Sequence, residues 1–313
     1  MSDCNILYKE DVMKLGEGLL TSGYVYIQNY SEQPTRNGST FIGGTLNIKG
    51  DVAFKVWRGT CFDAMKQEDY RGSICSIEAE INVYGGTKSL ILKSCKKVPQ
   101  EVLDSENLKK IDFLETKYDR AVIWGNFETT LKKYLSNKAY GIFDVVICQE
   151  VKGRFTEEYA AISHHDNCVS GLLAHTFKVC KLATIVRLYP NILEKVSQDV
   201  LFLGCALHDI GKIIEYDNGT ISAKGRVASH LVWGVEMLTK HKDFIIEVKG
   251  EDFYNQLQSI VATHHGIYGE HPRTFGAYVV HLLDMFESKL ASLDQAIENS
   301  DGSQLKVEDF TLS

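Results

Sequence analysis

The pattern of apolar residues changes near residue 100, and this change constrains the fold more than any other feature. Before it lie five short segments rich in β-branched and aromatic residues, separated by turn-forming stretches such as "RNGS", "KGD" and "YGGT". The segments cover residues 23–30, 39–48, 52–59, 73–84 and 87–95. Five strands in so short a stretch predict a small closed barrel, and the OB fold is the commonest five-stranded form.

Beyond residue 100 the apolar residues follow helical spacing. One face carries a regular series of apolar side chains, namely Leu172, Val179, Leu182 and Val186. Pro190 ends this segment, and a second helix is expected over 276–297. Weaker helical patterns lie between 103 and 160.

The stretch "KKVPQEVLD" at 96–104 is the best candidate for a domain boundary. We therefore expect an OB-like barrel domain at 1–100, connecting helices at 101–160 and an all-α domain at 161–313.

Charge is distributed unevenly over these parts. The net charge is −7, but residues 1–100 carry +1 and residues 101–313 carry −8. The second part should bind phosphates poorly unless it holds cations, because bound divalent ions reverse the local electrostatics. No apolar run reaches the roughly 18–20 residues of a membrane span, no signal peptide is visible, and the eight cysteines never form CxxC. These features predict a reduced, cytoplasmic protein with no membrane partner.

All ten histidines lie after residue 163, and many accompany acidic residues on apolar helical stretches. The candidate metal ligands among them are five histidines and two aspartates, namely His175, His208, Asp209, His230, His264, His265 and Asp284. A buried carboxylate is costly unless it is paired or bound to a metal, and imidazole and carboxylate are standard ligands of divalent metals. Adjacent helical residues point about 100° apart. One member of the His208–Asp209 pair can therefore serve one metal while the other bridges to a second.

The order H…HD…D, here His175, His208–Asp209 and Asp284, resembles the signature of the HD phosphohydrolase superfamily. The blocks "HHDNCVSGLLAHT", "LHDIGKI", "KGRVASH", "THHG" and "HLLDMFESK" resemble those of the YhaM-type 3′→5′ exoribonucleases. In that family an OB domain precedes the HD domain, and "TRNGSTFIGGTLNIKGDVAFKVW" resembles its opening strands. The resemblance implies an N-terminal five-stranded OB-like β-barrel followed by an all-α HD phosphohydrolase domain.

Four positions depart from the family pattern. Ser170–Gly171 replaces a Gly pair, Ser229 replaces a Gly, Gly276–Ala277 replaces Glu-Ala, and Glu287 replaces an Asp. None of these is an expected metal ligand, so the departures bear on specificity more than on activity.

The resemblance implies phosphodiester hydrolysis assisted by two divalent ions, which lower the pKa of a shared water and neutralise phosphate charge. Coordination without thiolate favours Mn²⁺, with Mg²⁺ or Fe as alternatives. Asp209 is expected to bridge the ions as a catalytic residue, and Lys212 to contact the substrate phosphate. One ion is assigned to His175, His208 and Asp284, and the other to His230, His264 and His265. Gly211 is expected to let the backbone turn beside Lys212.

Substrate-binding candidates lie in both parts of the chain. His164 and His165 are candidates for substrate contact, with a metal-related role or loop structure as open alternatives, and Arg273 follows in a loop with His271. His281 shares the helix face of Asp284 and is expected near the metals. In the barrel, the candidates for base stacking and phosphate binding are Tyr24, Arg36 and Trp57, with Tyr26, Phe41, Phe54, Lys55 and Arg58 as further candidates. Because strand side chains alternate, Phe54 and Lys55 must face opposite sides.

The leading hypothesis is a 3′→5′ exonuclease that degrades single-stranded RNA, or DNA as an alternative, to nucleoside monophosphates. A second hypothesis is an HD phosphodiesterase of a small nucleotide such as a cyclic dinucleotide or alarmone. A third is a non-catalytic single-strand-binding protein with a structural metal site. Assembly into a homo-oligomer is left open by the sequence.

Overall fold

The computed structural model describes residues 6–35, 37–115, 117–162, 166–266, 269–298, 305–307 and 310–312. The chain forms two compact units, Met1–Thr116 and Lys117–Ser313.

The first unit is a closed five-stranded barrel in the order β1-β2-β3-β5-β4. Its strands are β1 (Leu20–Pro34), β2 (Thr40–Asn47), β3 (Asp51–Val56), β4 (Ser73–Tyr84) and β5 (Thr87–Lys97). All neighbouring strands are antiparallel except β3 and β5, which run parallel. The long β1 pairs with β4 through its first half and with β2 through its second half, with a register shift between Ile27 and Asn29. The predicted barrel is confirmed, and all five strands lie where the sequence predicted them.

Side-chain alternation along β2 and β3 separates a core face from an outer face. Ile42, Leu46, Phe54 and Val56 are buried inside, whereas Lys55 lies on the other side of its strand. Phe54 and Lys55 therefore face opposite sides, as the alternation predicted. Three short α-helices accompany the barrel, namely α1 (Lys9–Val12), α2 (Phe62–Gln67) and α3 (Gln100–Ser105), and a 3-10 helix follows at Lys110–Phe113.

The second unit is helical. Its helices are α4 (Arg120–Tyr134), α5 (Asn137–Val146), α6 (Gln149–Glu157), α7 (Gly171–Ala183), α8 (Pro190–Leu193), α9 (Gln198–Leu207), α10 (Lys212–Glu215), α11 (His230–Thr239), α12 (Lys242–Lys249), α13 (Glu251–Thr263) and α14 (Phe275–Glu298). Two small hairpins accompany them, β6 (Tyr216–Asp217) with β7 (Thr220–Ile221) and β8 (Leu305–Val307) with β9 (Phe310–Leu312). Pro190 does not simply end a helix but begins α8, where its missing N–H costs nothing.

The observed division of the chain differs from the boundary expected near residue 100. The segment after β5 stays with the barrel, because Lys49 N donates to Phe113 O at 2.7 Å and Lys49 Nζ donates to Ile111 O at 3.3 Å. The helices expected to be connectors are instead part of the second core, where Phe127 and Phe143 are fully buried in the same cluster as residues of α7 and α9.

Among the described residues, no helix is both long enough and apolar enough to cross a membrane. No disulfide joins the described cysteines.

Candidate metal centre

The His208–Asp209 pair follows the last residue of helix α9 and lies in the protein interior. Ser197 caps the N-terminus of α9 by accepting a hydrogen bond from Val200 N, and every residue from 200 to 207 is buried. Because the helix is apolar on all sides, its C-terminal end is also inside the protein. His208 and Asp209 are consequently 0% and 2% exposed, so their polar atoms need partners within the site.

Four further elements bring the other expected ligands to this point. His175 lies in the middle of α7, His230 begins α11, His264 and His265 follow the last residue of α13, and Asp284 lies on α14. The close approach of α11 to the start of α10 depends on Gly211. A Cβ there would lie 1.9 Å from His230 O. Gly211 has an ordinary right-handed helical backbone, φ −65° and ψ −17°. Gly211 lies in the turn at residues 208–211 that joins α9 to α10, as expected, but its ordinary backbone angles do not require a glycine, so the glycine is needed there for space.

The first ligand cluster consists of His175, His208 and Asp284, whose ligand atoms all lie within 4.8 Å of one another. His175 Nε2 is 3.3 Å from His208 Nε2 and 3.1 Å from Asp284 Oδ1. Both ring nitrogens and the carboxylate oxygen therefore converge on one small volume.

The second ligand cluster consists of Asp209, His230, His264 and His265, again within 4.8 Å. His230 Nε2 is 3.0 Å from His265 Nε2 and 3.5 Å from Asp209 Oδ1. The first cluster has the three members assigned to one ion from the sequence. The second cluster joins the three histidines assigned to the other ion with Asp209, the expected bridge.

Asp209 lies between the two clusters. Its Oδ2 is 3.4 Å from His175 Nε2 and 3.3 Å from His208 Nε2, whereas its Oδ1 is 3.4 Å from His264 Nε2. One oxygen thus faces each cluster, which is the arrangement a bridging ligand requires.

The donor set fits divalent cations. Asp209 Oδ1 and His264 Nε2 are buried and have no hydrogen-bond partner among the described residues, although they lie 3.4 Å apart. Such atoms are costly in a protein interior unless a ligand satisfies them. The donors are imidazole nitrogens and carboxylate oxygens without thiolate, which suits Mn²⁺, Mg²⁺ or Fe.

The electrostatics of the site point the same way. Burial lowers the pKa of His265 to about 3, helped by His264, and burial also lowers the pKa of His264, so both rings are neutral and keep a lone pair for a ligand. Burial acts to raise the pKa of Asp209, but Lys212 and His208 hold it well below its ordinary value. Burial likewise opposes a charge on His175, yet the carboxylates of Asp209, Asp284 and Glu287 raise its pKa well above the ordinary value. The carboxylates around His175 therefore favour positive charge at the first ligand cluster.

Lys212 lies at the site, with Nζ 2.7 Å from Asp209 Oδ2 and a side chain only 12% exposed. It is one turn beyond the His-Asp pair, at the start of α10. His281 is also near, because its Nδ1 donates to His264 O at 2.7 Å and so fixes the end of α13.

Three residues at the site were missed from the sequence. Glu215 Oε2 lies 2.6 Å from His230 Nδ1, and Asp166 and Lys178 lie beside Glu287, behind His175. The only signal for Glu215 was its spacing of one helical turn from Lys212, and Asp166 and Lys178 gave no signal of their own.

Other predicted substrate residues fall outside this site or outside the described residues. Arg273 is 80% exposed and pairs with Glu270 at 3.4 Å. His164, His165 and Arg36 lie outside the described residues. Tyr24 is 7% exposed and its hydroxyl donates to Glu106 Oε1 at 3.4 Å, so its ring cannot stack on a base, and this expectation was wrong.

The outer face of the barrel has an aromatic and basic surface on β2 and β3. Trp57 is 38% exposed and its ring centroid is 5.1 Å from that of Phe41, over which Lys55 Nζ lies at 5.9 Å. An adjoining cavity of about 520 Å³ is lined by residues of β1, β2 and β3. Gly43 forms part of its floor, and a Cβ there would lie 3.0 Å from the Phe41 ring.

A family model described as the HD domain matches residues 172–289, the stretch that carries both ligand clusters. Residues 172–289 form an HD domain. This match covers α7 to most of α14, so the helices that place the candidate ligands are those of the HD domain.

Proteins similar to the whole chain extend the comparison beyond the HD domain. The chain is 26% identical to the 3′-5′ exoribonuclease YhaM of Geobacillus sp. strain WCH70, over 88% of this chain and 84% of that protein. It is 25% identical to the protein of the same name in Bacillus subtilis strain 168, over 88% and 87% of the two chains. The resemblance to the YhaM-type family is confirmed.

Among solved structures, the mitochondrial single-stranded DNA binding protein Rim1 of S. cerevisiae matches 26% of this chain and 96% of its own, at 14% identity and a TM-score of 0.24.

Proposed function

We propose that this protein is a metal-dependent 3′→5′ exonuclease that hydrolyses single-stranded RNA, with single-stranded DNA as an alternative substrate, to nucleoside monophosphates. The observation that carries the proposal is the position of Asp209, whose two carboxylate oxygens each face one ligand cluster of the HD domain. Relatives named 3′-5′ exoribonuclease match along nearly the whole chain, which supports the direction and the substrate class.

The first cluster would hold one divalent ion and the second cluster the other, with Asp209 shared, and Mn²⁺ is the first candidate. Such ions supply an activated water at neutral pH and neutralise charge on the phosphate. The chain itself contributes neutral imidazoles at His264 and His265, an ionised carboxylate at Asp209, and the ammonium of Lys212 beside that carboxylate. This ammonium offers positive charge for a non-bridging phosphate oxygen of the substrate.

The barrel surface of Phe41, Lys55 and Trp57 supports binding of a single strand. Base–aromatic stacking tolerates any sequence because every base has a π-face, and a lysine beside the rings suits the phosphates. Binding should therefore weaken as salt rises, because phosphate neutralisation releases counterions. We propose this surface, in place of Tyr24, as the strand-binding site of the barrel.

The test is directional degradation of a 5′-labelled single-stranded RNA in the presence of Mn²⁺. We expect stepwise shortening, slower reaction with a 3′-phosphate or a stable 3′ hairpin, and survival of a circular strand. Asp209→Asn should lower the rate by at least about 100-fold, since loss of outer hydrogen-bond partners alone costs 10–100-fold. The exposed Asp243→Asn is the matched control.

Two outcomes would reject the proposal. Cleavage of the circle at a rate comparable to that of the linear strand would exclude an exonuclease. Rapid hydrolysis of a cyclic dinucleotide with inert linear strands would favour a small-nucleotide phosphodiesterase instead.

A further inference from the structure

The ring of His175 has partners on both sides. Its Nε2 faces the first ligand cluster, whereas its Nδ1 lies 2.6 Å from Glu287 Oε2. Glu287 is 3% exposed and lies on α14 three residues after Asp284, so one turn of this helix supplies both a candidate ligand and the carboxylate behind another ligand.

Glu287 is held in turn by Lys178. The Lys178 ammonium is 3.3 Å from Glu287 Oε1 and 3.0 Å from Asp166 Oδ2, and Asp166 also accepts from the Tyr118 hydroxyl at 2.5 Å. Lys178 follows His175 on α7 by three residues, so both lie on the same side of the helix. The buried carboxylate of Glu287 is thereby paired on both oxygens, as a stable buried charge requires.

Asp166, His175 and Glu287 are themselves close enough to form a third cation-binding group. The ammonium of Lys178 lies within hydrogen-bonding range of both carboxylates of this group, so the chain supplies its own positive charge there. This group is therefore a fixed support behind His175 rather than a site for a third metal ion.

We infer that Glu287, anchored by Lys178, is a positioning residue that keeps the proton of His175 on Nδ1 and directs the Nε2 lone pair into the first cluster. The inference rests on the metal centre of the proposed function. Carboxylates in this position orient metal-bound histidines and raise their basicity. His230 has a similar carboxylate, since Glu215 Oε2 lies 2.6 Å from its Nδ1. His208 Nδ1 and His264 Nδ1 instead lie beside the backbone carbonyls of Cys205 and Ile260, at 2.8 and 3.2 Å.

Glu287→Gln should disturb the hydrogen bonds that support His175. Two donors, His175 Nδ1–H and the Lys178 ammonium, face the two oxygens of Glu287. A glutamine has one acceptor oxygen and one NH₂ group, so it can serve one donor and must oppose the other. Glu287→Asp keeps both acceptors and the charge but is one methylene shorter, and we expect an intermediate effect.

The experiment measures the binding of Zn²⁺, a diamagnetic probe ion, to the protein in the absence of substrate. Chelator competition should show that Glu287→Gln weakens binding of one of two Zn²⁺ ions by about 10–100-fold, the usual cost of losing such a partner. NMR spectra of the ¹⁵N-labelled, Zn²⁺-loaded wild type should show that His175 carries its proton on Nδ1. The ¹H resonance of this N–H group should lie downfield. In the variant this resonance should move upfield or broaden. Glu236→Gln is the control, because it removes an exposed carboxylate on α11 whose ion pair with Lys240 lies on the surface.

Lys178→Met provides a second variant, because it leaves Glu287 and His175 in place and replaces a side chain that is 38% exposed. It should shift the same resonance and weaken the same ion. Unchanged Zn²⁺ affinity together with an unchanged His175 resonance, in either folded variant, would overturn the inference. A wild type that binds no Zn²⁺ would instead reject the metal centre itself, which separates the two failures.

Discussion

At the scale of single residues, the HD domain uses small side chains to bring its ligands together. The clearest example is Gly211, where the α10 backbone approaches α11 so closely that a methyl group would overlap His230 O. His230 is both the first residue of α11 and a member of the second cluster. The space at Gly211 therefore sets the position of a candidate ligand.

Gly211→Ala should destabilise the protein and disturb the second cluster. Overpacking in a tight interior typically costs about 1–3 kcal/mol, and the displaced backbone is that of His230. Thermal unfolding measures the first effect and Mn²⁺ affinity the second. Gly125→Ala is the matched control, since among the described residues nothing beyond its own turn of α4 lies within 4 Å of the added Cβ, and it should stabilise by about 0.5–1 kcal/mol. Equal stability of the two variants would contradict the packing argument.

At the scale of elements, Asp199 ties three helices together near the start of α9. Its carboxylate accepts from Ser136 N and Oγ at 2.7 and 2.6 Å, where Ser136 caps α5, and from Lys249 Nζ at 2.7 Å, the last residue of α12. These bonds orient α9, whose other end carries His208 and Asp209. Burial acts to raise the pKa of Asp199, but Lys249 and Ser136 lower it below the ordinary value.

Asp199→Asn should lower the free energy of unfolding at pH 7 by about 1.5–3 kcal/mol, the range for hydrogen bonds to charged groups. The folded pKa lies below the unfolded one, so this stabilisation is present above about pH 4 and is lost as pH falls through the folded pKa. Denaturant unfolding at several pH values should therefore show the difference between wild type and variant shrinking in acid. The exposed Glu194→Gln is the control, and a difference that stays constant down to pH 3 would contradict the assignment.

The β2–β3 surface of the barrel supports a separate prediction. Trp57→Ser should weaken binding of a long single strand by about 1–3 kcal/mol, the cost of losing one stacked base. Fluorescence anisotropy with labelled RNA measures this loss. Tyr84→Ser removes an aromatic side chain that is 77% exposed at the β4–β5 turn, away from that surface, and should change affinity little. Equal effects of both substitutions would rule out the surface as the strand-binding site.

At the scale of the whole molecule, periodicity and motif order predicted most of the architecture. Strand alternation and turn residues located all five barrel strands, and the helical series around Asp284 located α14 to within one residue at each end. The boundary was less predictable, because Lys49 binds the segment around Phe113 through backbone atoms that leave no trace in side-chain pattern. Tyr24 was misassigned for a related reason. It is not part of the barrel core that contains its neighbour Val25, but it is buried and its hydroxyl donates to Glu106 in the segment after β5, a contact that the strand pattern does not reveal.

The seven candidate ligands were predictable because histidines and acids on apolar helices are rare and costly. Their supporting partners were not, because Glu215, Lys178 and Asp166 are ordinary charged residues in the sequence. Glu215 acts through its contact with His230 Nδ1, and Lys178 through its contacts with Asp166 and Glu287. These contacts form only when the five helices that carry the candidate ligands, α7, α9, α11, α13 and α14, pack together.

The central claim is that Asp209 joins two metal ions within one HD domain. Electron paramagnetic resonance of the protein titrated with Mn²⁺ tests it most directly, because ions about 3.5–4 Å apart that share a carboxylate interact magnetically. We expect two Mn²⁺ per chain with a spin-coupled spectrum, and loss of the coupling in Asp209→Asn. A wild type that degrades RNA from its 3′ end with one Mn²⁺ per chain, or with two ions showing the spectrum of isolated Mn²⁺, would contradict the claim.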